Sequence, residues 1–308
     1  MLHNNDLRKI AVVGAGAWGV ALAKLYNASR DVILLSNDKT KNSETLTVCY
    51  DLDEILDRDI IMLAIPAQTI REFCLSLVGK IKSSSIIIIC SKGIEENSYK
   101  LMSEVVSTIL PSQPLAVLSG PNFASEIAEG LPAVSSLACA DFALANDLAD
   151  ALSVPNFKLY PSADLIGLQI YGALKNVLAI LCGIASGLEL GENFKAALLT
   201  SGVKEISNLV QKKGGKLSSL IEPGGIGDLF LTCNSAQSRN TTLGHDIARI
   251  GHFDASLVKR NVEGVYTVKA LHGLAKELDL QLPMLEFVYK VIHEQGVVNK
   301  LAITEIVL

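Results

Sequence analysis

The chain has 308 residues, of which 49% are hydrophobic and 19% charged, and its net charge is −5. This length is enough for two domains with cores of their own. The negative charge and the lack of a basic segment argue against nucleic acid or an anionic membrane surface as the main partner. Uninterrupted apolar runs fall short of the roughly 18 residues that cross a membrane, so we expect no membrane insertion.

The cysteines and histidines form no recognisable framework. None of the six cysteines is in a C-x-x-C pair, and Cys90, Cys139 and Cys182 lie in apolar segments, which predicts buried thiols in a reducing compartment. The five histidines are scattered, so we expect no metal site. Residues 1–9 contain no apolar core of a secretory signal. We therefore expect a cytoplasmic protein.

The first 160 residues alternate between short apolar runs and helical patterns. The runs are nearly continuous, as is typical of strands covered on both faces. These runs predict strands at 10–13, 32–35, 60–65, 86–90 and 115–118, with helices at 18–28, 69–78 and 98–110. Two further strands are predicted at 133–139 and 157–160, with a helix between them at 142–152. This alternation predicts a parallel, doubly wound α/β sheet.

After Pro161 the sequence predicts helices almost throughout. The expected helices are 163–186, 193–213, 226–233, 239–251, 264–278 and 283–294. We place the domain boundary near residue 160, which gives a sheet domain over 1–160 and an all-α substrate and catalytic domain over 161–308. No flexible linker separates them, so we expect the two to pack closely. The apolar character of the helical half is compatible with a homodimer.

A glycine motif follows the first predicted strand. Gly14, Gly16 and Gly19 match G-x-G-x-x-G, and Ala17 and Trp18 open the next helix. The first glycine suits a tight turn, the second a close approach to a pyrophosphate, and the third helix–strand packing. A pyrophosphate would bind the free N–H groups of that helix. The context predicts a dinucleotide-binding Rossmann domain, and the alternative is an ordinary glycine-rich turn.

The second predicted strand ends near Asn37 and Asp38. Asp38 lies nineteen residues after Gly19, which suits recognition of an adenosine ribose hydroxyl. No arginine stands here to hold a 2′-phosphate, which favours NAD over NADP. The alternative for Asp38 is a turn or a helix cap.

Three further predicted strand ends carry polar groups. They are 66–68 (Pro-Ala-Gln), 91–93 (Ser-Lys-Gly) and 119–124 (Ser-Gly-Pro-Asn-Phe-Ala). Ligands of doubly wound sheets bind outside the carboxyl ends of the strands, so all three ends should face the cleft of the glycine turn. Lys92 would place a cation beside the nicotinamide or an anionic substrate. Its alternative role is that of a solvent-facing loop lysine.

Lys175 lies in an apolar run, 165–181, that predicts a core helix. A lysine is almost never fully buried without a partner, and burial lowers its pKa toward the range of proton exchange near neutral pH. On this helix alone, a lysine that extends its ammonium group to water is an equally good interpretation.

A second polar group follows in the helical half. Asp228 begins a predicted helix and Thr232 follows one turn later on the same face. Asp228 is either a helix N-cap or a partner of Lys175. The segment Ser238-Arg239-Asn240 suits a phosphate, and its alternative is a surface arginine.

Together these motifs resemble the NAD(P)-dependent glycerol-3-phosphate dehydrogenases of the soluble, bacterial type. The matching segments are GAGAWG (14–19), SKG-I-E (91–95), GPNFA-x-E (120–126), GALKNV-x-A-I (172–180), N-x-KAAL (193–198), G-x-GDL-x-LTC (225–233), SRN (238–240) and VEGV (262–265). They occur in family order and cover nearly the whole chain.

The resemblance implies reversible reduction of dihydroxyacetone phosphate to sn-glycerol 3-phosphate with NAD(P)H, which supplies phospholipid synthesis. It implies that Lys175 is the general acid and base and that Asp228 belongs to the catalytic group. The substrate-binding residues it implies are Lys92, Gly120, Asn122, Asn176, Thr232, Ser238, Arg239 and Asn240. The residues it implies on the cofactor side are Lys92, Ala124, Arg239 and Glu263, beside the glycine turn and the strand end at 37–38.

The chain also departs from the family pattern. Segment 38–51 is shorter than usual, Asn37 replaces a common arginine, and Asn122 replaces a serine or threonine. Two arginines that often follow SRN are Thr241 and Thr242 here. No proposed catalytic group is lost, so the departures bear on cofactor affinity and coenzyme choice.

Three rival interpretations stay open. A dehydrogenase of the same two-domain plan could act on another hydroxy acid, with carboxylate substrates. A dinucleotide-sensing protein would bind NADH without turnover. Lys175 and Asp228 could also form a structural ion pair in a helical core.

Overall fold

The computed structural model describes residues 7–258 and 262–307, so residues 1–6, part of the segment on which we expect no secretory signal, lie outside it. The strands are β1 (Lys9–Val13), β2 (Asp31–Leu35), β3 (Thr47–Cys49), β4 (Ile60–Leu63), β5 (Ile86–Ile89), β6 (Leu115–Ser119), β7 (Ala133–Cys139) and β8 (Phe157–Ser162). The helices among them are α1 (Ala17–Asn27), α2 (Ile70–Leu77), α3 (Met102–Ile109), α4 (Ala124–Ala128) and α5 (Phe142–Leu152). The helices that follow are α6 (Leu165–Gly187), α7 (Gly191–Lys212), α8 (Asp228–Asn234), α9 (Arg239–Ile250), α10 (Glu263–Glu277), α11 (Pro283–His293) and α12 (Lys300–Thr304).

The strands form one sheet in the order β3-β2-β1-β4-β5-β6-β7-β8. The continuous apolar runs are explained by burial on both faces. Along β1, Ile10 and Val12 enter one core with residues of α1 and α5, and Ala11 and Val13 enter the other with residues of α2 and α3. The strand order reverses at β1, which pairs with β2 on one side and β4 on the other. This switch point is where doubly wound sheets bind their ligands.

The predicted all-parallel pairing is wrong at one place. β6 and β7 are antiparallel, while the remaining neighbours are parallel. Parallel neighbours are usually joined by a crossover helix that lies along the sheet. In the connection 120–132 the α-helix is the five-residue α4, and β7 returns antiparallel to β6.

Three short elements were not expected from the sequence. They are the edge strand β3, helix α4 and helix α12. β3 has three residues and α4 and α12 have five each, so none is long enough to show a clear periodicity. The predicted helix 226–233 begins two residues later because a wide helical turn, Pro223–Gly227, precedes it.

Helix α6 is the centre of the helical half. It is buried from Gly167 to Ala185, with α7, α8, α9 and α10 packed around it. Two glycines allow the closest packing: a Cβ on Gly183 would lie 2.1 Å from the Thr241 carbonyl oxygen, and one on Gly244 would lie 2.0 Å from that of Ile180. By length and composition α6 also resembles a membrane span, but 89% of its most apolar window is buried inside the fold. It is therefore a core helix here.

Candidate active site

The three motif glycines follow β1 and have different surroundings. Gly14 has a φ of +107°, and its N–H donates to the Leu35 carbonyl at 2.9 Å. A Cβ on Gly19 would lie 1.8 Å from the carbonyl oxygen of Gly14, so α1 packs directly on the turn. A Cβ on Gly16 would meet nothing within 4 Å. Gly16 therefore faces the open space in which a ligand can approach the backbone.

Helix α1 begins just after Gly16. Ala17 is its exposed first residue, and Trp18 is half-buried against the sheet core. Helix α4, which begins at Ala124, packs against α1. The first turn of α1 has no side-chain cap at Gly16, so its N–H groups suit a pyrophosphate.

The end of β2 carries an exposed carboxylate. Asp38 Oδ1 accepts from the backbone N–H of Thr40 at 3.0 Å and from its hydroxyl at 2.7 Å. These two bonds lower the pKa of Asp38. Asn37 beside it is exposed. The turn interpretation of Asp38 thus holds geometrically, and its ionised carboxylate still stands at the strand end where a ribose would lie.

Lys175 does not extend to water. It is only 7% exposed, and its ammonium donates to Asp228 Oδ1 and, at 2.8 Å, to Thr232 Oγ1. Burial lowers the pKa of Lys175 to about 8, with the Asp228 carboxylate opposing and the nearby Lys92 adding to the effect. Asp228 is thus a lysine partner rather than a helix cap.

Lys92 binds the other oxygen of the same carboxylate. Its Nζ lies 2.6 Å from Asp228 Oδ2 and 3.1 Å from the Gly120 carbonyl oxygen. Asp228 is 1% exposed, so a single buried anion joins a lysine of the sheet to a lysine of α6. Lys92 is therefore not a solvent-facing loop residue.

Glu263, the first residue of α10, lies near this cluster. Burial raises the pKa of its carboxyl, and three nearby cations oppose that shift: Lys92, Lys175 and Arg239. Glu263 and Lys92 also line a cavity of about 210 Å³ with Pro66, Ala67, Gln68, Gly93, Tyr266 and Thr267. The site thus brings together the ends of β4 and β5 and residues of the helices α6, α8, α9 and α10.

Arg239 is the accessible cation of the cluster. It is the first residue of α9 and is exposed, and no hydrogen bond or ion pair engages it within the described parts of the chain. An exposed guanidinium near the partly buried ammonium of Lys92 and the buried one of Lys175 suits an anionic ligand such as a phosphate.

Two asparagines connect the helices around the lysines. Asn240 Nδ2 donates to Asn176 Oδ1 at 2.9 Å, and the Gly264 N–H donates to Asn240 Oδ1 at 3.2 Å. A Cβ on Gly264 would lie 2.5 Å from Asn240 Oδ1, so a larger residue there would displace the Asn240 side chain. The three residues fasten α6, α9 and α10 to one another beside Lys175.

Several residues assigned to the substrate are engaged with the protein itself. Asn122 Nδ2 donates to the carbonyl oxygens of Pro121 at 2.9 Å and Val134 at 3.0 Å, and its Oδ1 accepts from Ser135. Ser238 is buried and caps α9. The side chains of Asn122 and Ser238 thus stabilise the loop and the helix that border the site.

Other residues of the site were not expected from the sequence. The bidentate pair of Arg71 with Glu95 holds the loop that carries Lys92, and Tyr266 and Thr267 line the cavity. Arg71 belongs to a helical stretch that carries no motif, whereas Tyr266 and Thr267 directly follow the VEGV segment at the start of α10. The sequence signals for these residues were therefore that segment and the glutamate of SKG-I-E, Glu95.

Fold and site together define the class of this protein: a nucleotide-dependent dehydrogenase with a doubly wound sheet and a helical half that brings Lys175 to Asp228. The chain belongs to the NAD-dependent glycerol-3-phosphate dehydrogenase family. The N-terminal sequence model of that family matches residues 36–145, and the C-terminal one matches residues 164–302.

Individual relatives match over nearly the whole chain. Glycerol-3-phosphate dehydrogenase [NAD(P)+] of Parvibaculum lavamentivorans is 37% identical over 306 residues, which cover 92% of each chain. That of Ehrlichia chaffeensis is 39% identical, covering 93% of this chain and 96% of its own. The crystal structure of glycerol-3-phosphate dehydrogenase from Coxiella burnetii superimposes with a TM-score of 0.89 at 32% identity, covering 97% of this chain and 98% of its own. The predicted family and fold class are thereby confirmed.

Proposed function

We propose that this protein interconverts dihydroxyacetone phosphate and sn-glycerol 3-phosphate with NAD(P)H, as the names of its relatives describe for those proteins. The observation that carries the proposal is the buried ammonium of Lys175, held by Asp228 and Thr232. An ammonium has three donors and these contacts use two of them. The third is available to a ketone oxygen.

We assign proton transfer to Lys175. During reduction a negative charge develops on the C2 oxygen, and the ammonium stabilises that charge and donates its proton. In the oxidation, the neutral amine accepts the proton back. A pKa of about 8 makes both forms accessible near neutral pH. Asp228 orients the group and opposes the loss of its charge, which burial favours.

We assign binding of the substrate phosphate to Arg239, with Lys92 next to it. Arg239 is exposed and unpaired among the described residues, so it can bind a phosphate without losing an existing ion pair. Binding a part of the substrate that does not react orients the part that does. The product would supply the glycerol phosphate of phospholipids.

The dinucleotide fits the glycine turn, because the space at Gly16 is open and the first turn of α1 offers free N–H groups. When bound, the cofactor supplies the hydride that C2 receives. We infer a preference for NADH, since Asp38 stands ionised at the end of β2 and Asn37 provides no charge for a 2′-phosphate.

The decisive test is oxidation of NADH that depends on dihydroxyacetone phosphate. Lys175→Met keeps the apolar length of the side chain and should lower kcat by about 10²-fold or more while the protein stays folded. Full activity of this variant would overturn the role of Lys175. Activity with carboxylate substrates and none with the phosphate would favour a different hydroxy acid. NADH binding without any turnover would favour a sensor.

We also propose a division near residue 160, a homodimer and a cytoplasmic location. The apolar cores support the division, because the cluster around α6 is distinct from the two clusters on the faces of the sheet, with Ile94, Leu101 and Leu168 as the buried residues that join a cluster of the other half. Exposed Ile221 (81%) and Phe230 (68%) support a dimer, which light scattering after gel filtration tests. The six cysteines are buried thiols, as suits a reducing compartment.

A further inference from the structure

The loop that carries Lys92, residues 91–96, is pressed against the connection between β4 and α2. Ser91 Oγ donates to the Leu63 carbonyl oxygen at 3.1 Å. A Cβ on Gly93 would lie 2.8 Å from Cβ of Ala67, so the loop and the connection touch at the glycine. The position of the loop is therefore determined by this part of the sheet domain.

Gln68 binds the loop backbone with both ends of its amide. Its Nε2 donates to the Ile94 carbonyl oxygen at 2.8 Å, and its Oε1 accepts from the Glu96 N–H at 3.0 Å. The two bonds hold the residues on either side of Glu95, and the Glu95 side chain extends to Arg71 of α2.

Glu95 anchors the loop through a bidentate ion pair. Arg71 donates to its two carboxylate oxygens through Nε and Nη2, each at 2.7 Å, and Ser98 adds a hydroxyl donor. Glu95 is buried, and the Arg71 guanidinium lowers its pKa. Bidentate pairs of this kind fix geometry as well as adding energy. Neither side chain reaches Asp228 or the lysines, so any effect on the reaction passes through the loop.

Lys92 lies three residues before Glu95 and must reach across to the helical half to bind Asp228. We propose that Arg71 and Glu95 are positioning residues: their ion pair sets the loop so that the Lys92 ammonium meets Asp228 and the substrate. This inference rests on the proposed function of Lys92. A misplacement of about 1 Å in such a site can cost up to about 10²-fold in rate.

The test is a double-mutant cycle with Glu95→Gln and Lys92→Ala. The glutamine keeps the size of the side chain but turns one acceptor into a donor that faces the arginine. We expect Glu95→Gln alone to lower kcat/KM for dihydroxyacetone phosphate by about tenfold. The loss should divide between KM and kcat in the proportion seen for Lys92→Ala. In the Lys92→Ala background, the same change should cost nothing further.

A matched control is available at the opposite end of the sheet. Arg58 and Asp31 form an ion pair at 2.8 Å beside the amino end of β2, so Asp31→Asn should leave kcat/KM unchanged. Thermal melting of each variant reports folding separately. Arg71→Lys keeps the positive charge but not the bidentate geometry of the guanidinium, so it should give an intermediate loss of kcat/KM. If Glu95→Gln does not fold, Arg71→Lys replaces it in the double-mutant cycle with Lys92→Ala.

Equal losses from Glu95→Gln in the presence and absence of Lys92 would overturn the inference, as would full kcat/KM in the single variant. A wild-type protein inactive on dihydroxyacetone phosphate would instead overturn the proposed function. The two failures are therefore distinguishable.

Discussion

Lys92 and Lys175 bind opposite oxygens of one buried carboxylate, that of Asp228. One lysine comes from the sheet and the other from the central helix of the helical half. A single anion cannot fully neutralise two ammonium groups, so the cluster keeps a net positive charge where the substrate anion would bind. The first two predictions follow from the charges of these three residues.

The rate should depend on pH in opposite ways for the two directions. Burial lowers the pKa of Lys175 to about 8. Reduction requires the ammonium, so its rate should fall as pH rises through about 8. Oxidation requires the neutral amine, so its rate should rise over the same interval. Initial rates in both directions from pH 6 to 10 check this, and parallel profiles would contradict it.

Asp228→Asn should move that profile to lower pH. The carboxylate opposes the effect of burial on the pKa of Lys175, so its loss lets that pKa fall further. We expect the break in the reduction profile below pH 8 and a loss in kcat/KM of about 10²-fold or more. Removing one partner of a buried ion pair also costs about 3–5 kcal/mol of unfolding free energy. An unshifted break would show that Asp228 does not control Lys175.

Gly16→Ala and Gly19→Ala should separate binding from folding. The added methyl at Gly19 would lie 1.8 Å from a backbone oxygen. The free energy of unfolding of this variant should therefore fall by well over the roughly 1–3 kcal/mol that overpacking usually costs, and the variant should fail to fold. The methyl at Gly16 meets no protein atom, so that variant should melt normally. Its NADH affinity should fall about tenfold or more, about 1.4 kcal/mol.

Trp18 gives a direct measurement of that affinity. It is the only tryptophan of the chain and follows the glycine turn, so NADH binding should quench its fluorescence. A Gly16→Ala protein that binds NADH as tightly as wild type would show that the dinucleotide does not approach this turn.

Glu222→Gln should remove a pH dependence of stability. Glu222 accepts from Ser162 at 2.9 Å, while its other oxygen is buried without a hydrogen-bond partner among the described residues. Burial raises its pKa in the folded protein, so the fold favours the protonated acid. The stabilisation is complete below the unfolded pKa of about 4.3 and is lost as pH rises through the folded pKa.

Urea unfolding of both proteins from pH 4 to 8 checks this prediction. The unfolding free energy of wild type should fall relative to that of Glu222→Gln as pH increases. The neighbouring charges, Asp164 and Lys216, are the same in both proteins and cancel in the difference. A constant difference across this range would contradict the assignment.

Local patterns were sufficient for much of the fold and part of the site. Nearly continuous apolar runs predicted five of the eight strands, because burial on both faces leaves few positions for polar residues. Two further strands, predicted at 133–139 and 157–160, are also present, although β8 alternates buried and exposed residues. The antiparallel β6–β7 pair was missed, since pairing direction depends on the path between strands and not on the strands themselves. Three elements of three to five residues were missed because they are too short to show a period.

The sequence by itself determined the family, the glycine turn and an apolar core helix that carries Lys175. These are local properties, which the spacing and the composition of residues are enough to predict. Only the tertiary structure decided that Lys92 and Asp228, 136 positions apart, share an ion pair and that Arg71 holds the loop of Lys92. Such contacts depend on how the sheet and the helices pack against each other, and no short stretch of sequence encodes that packing.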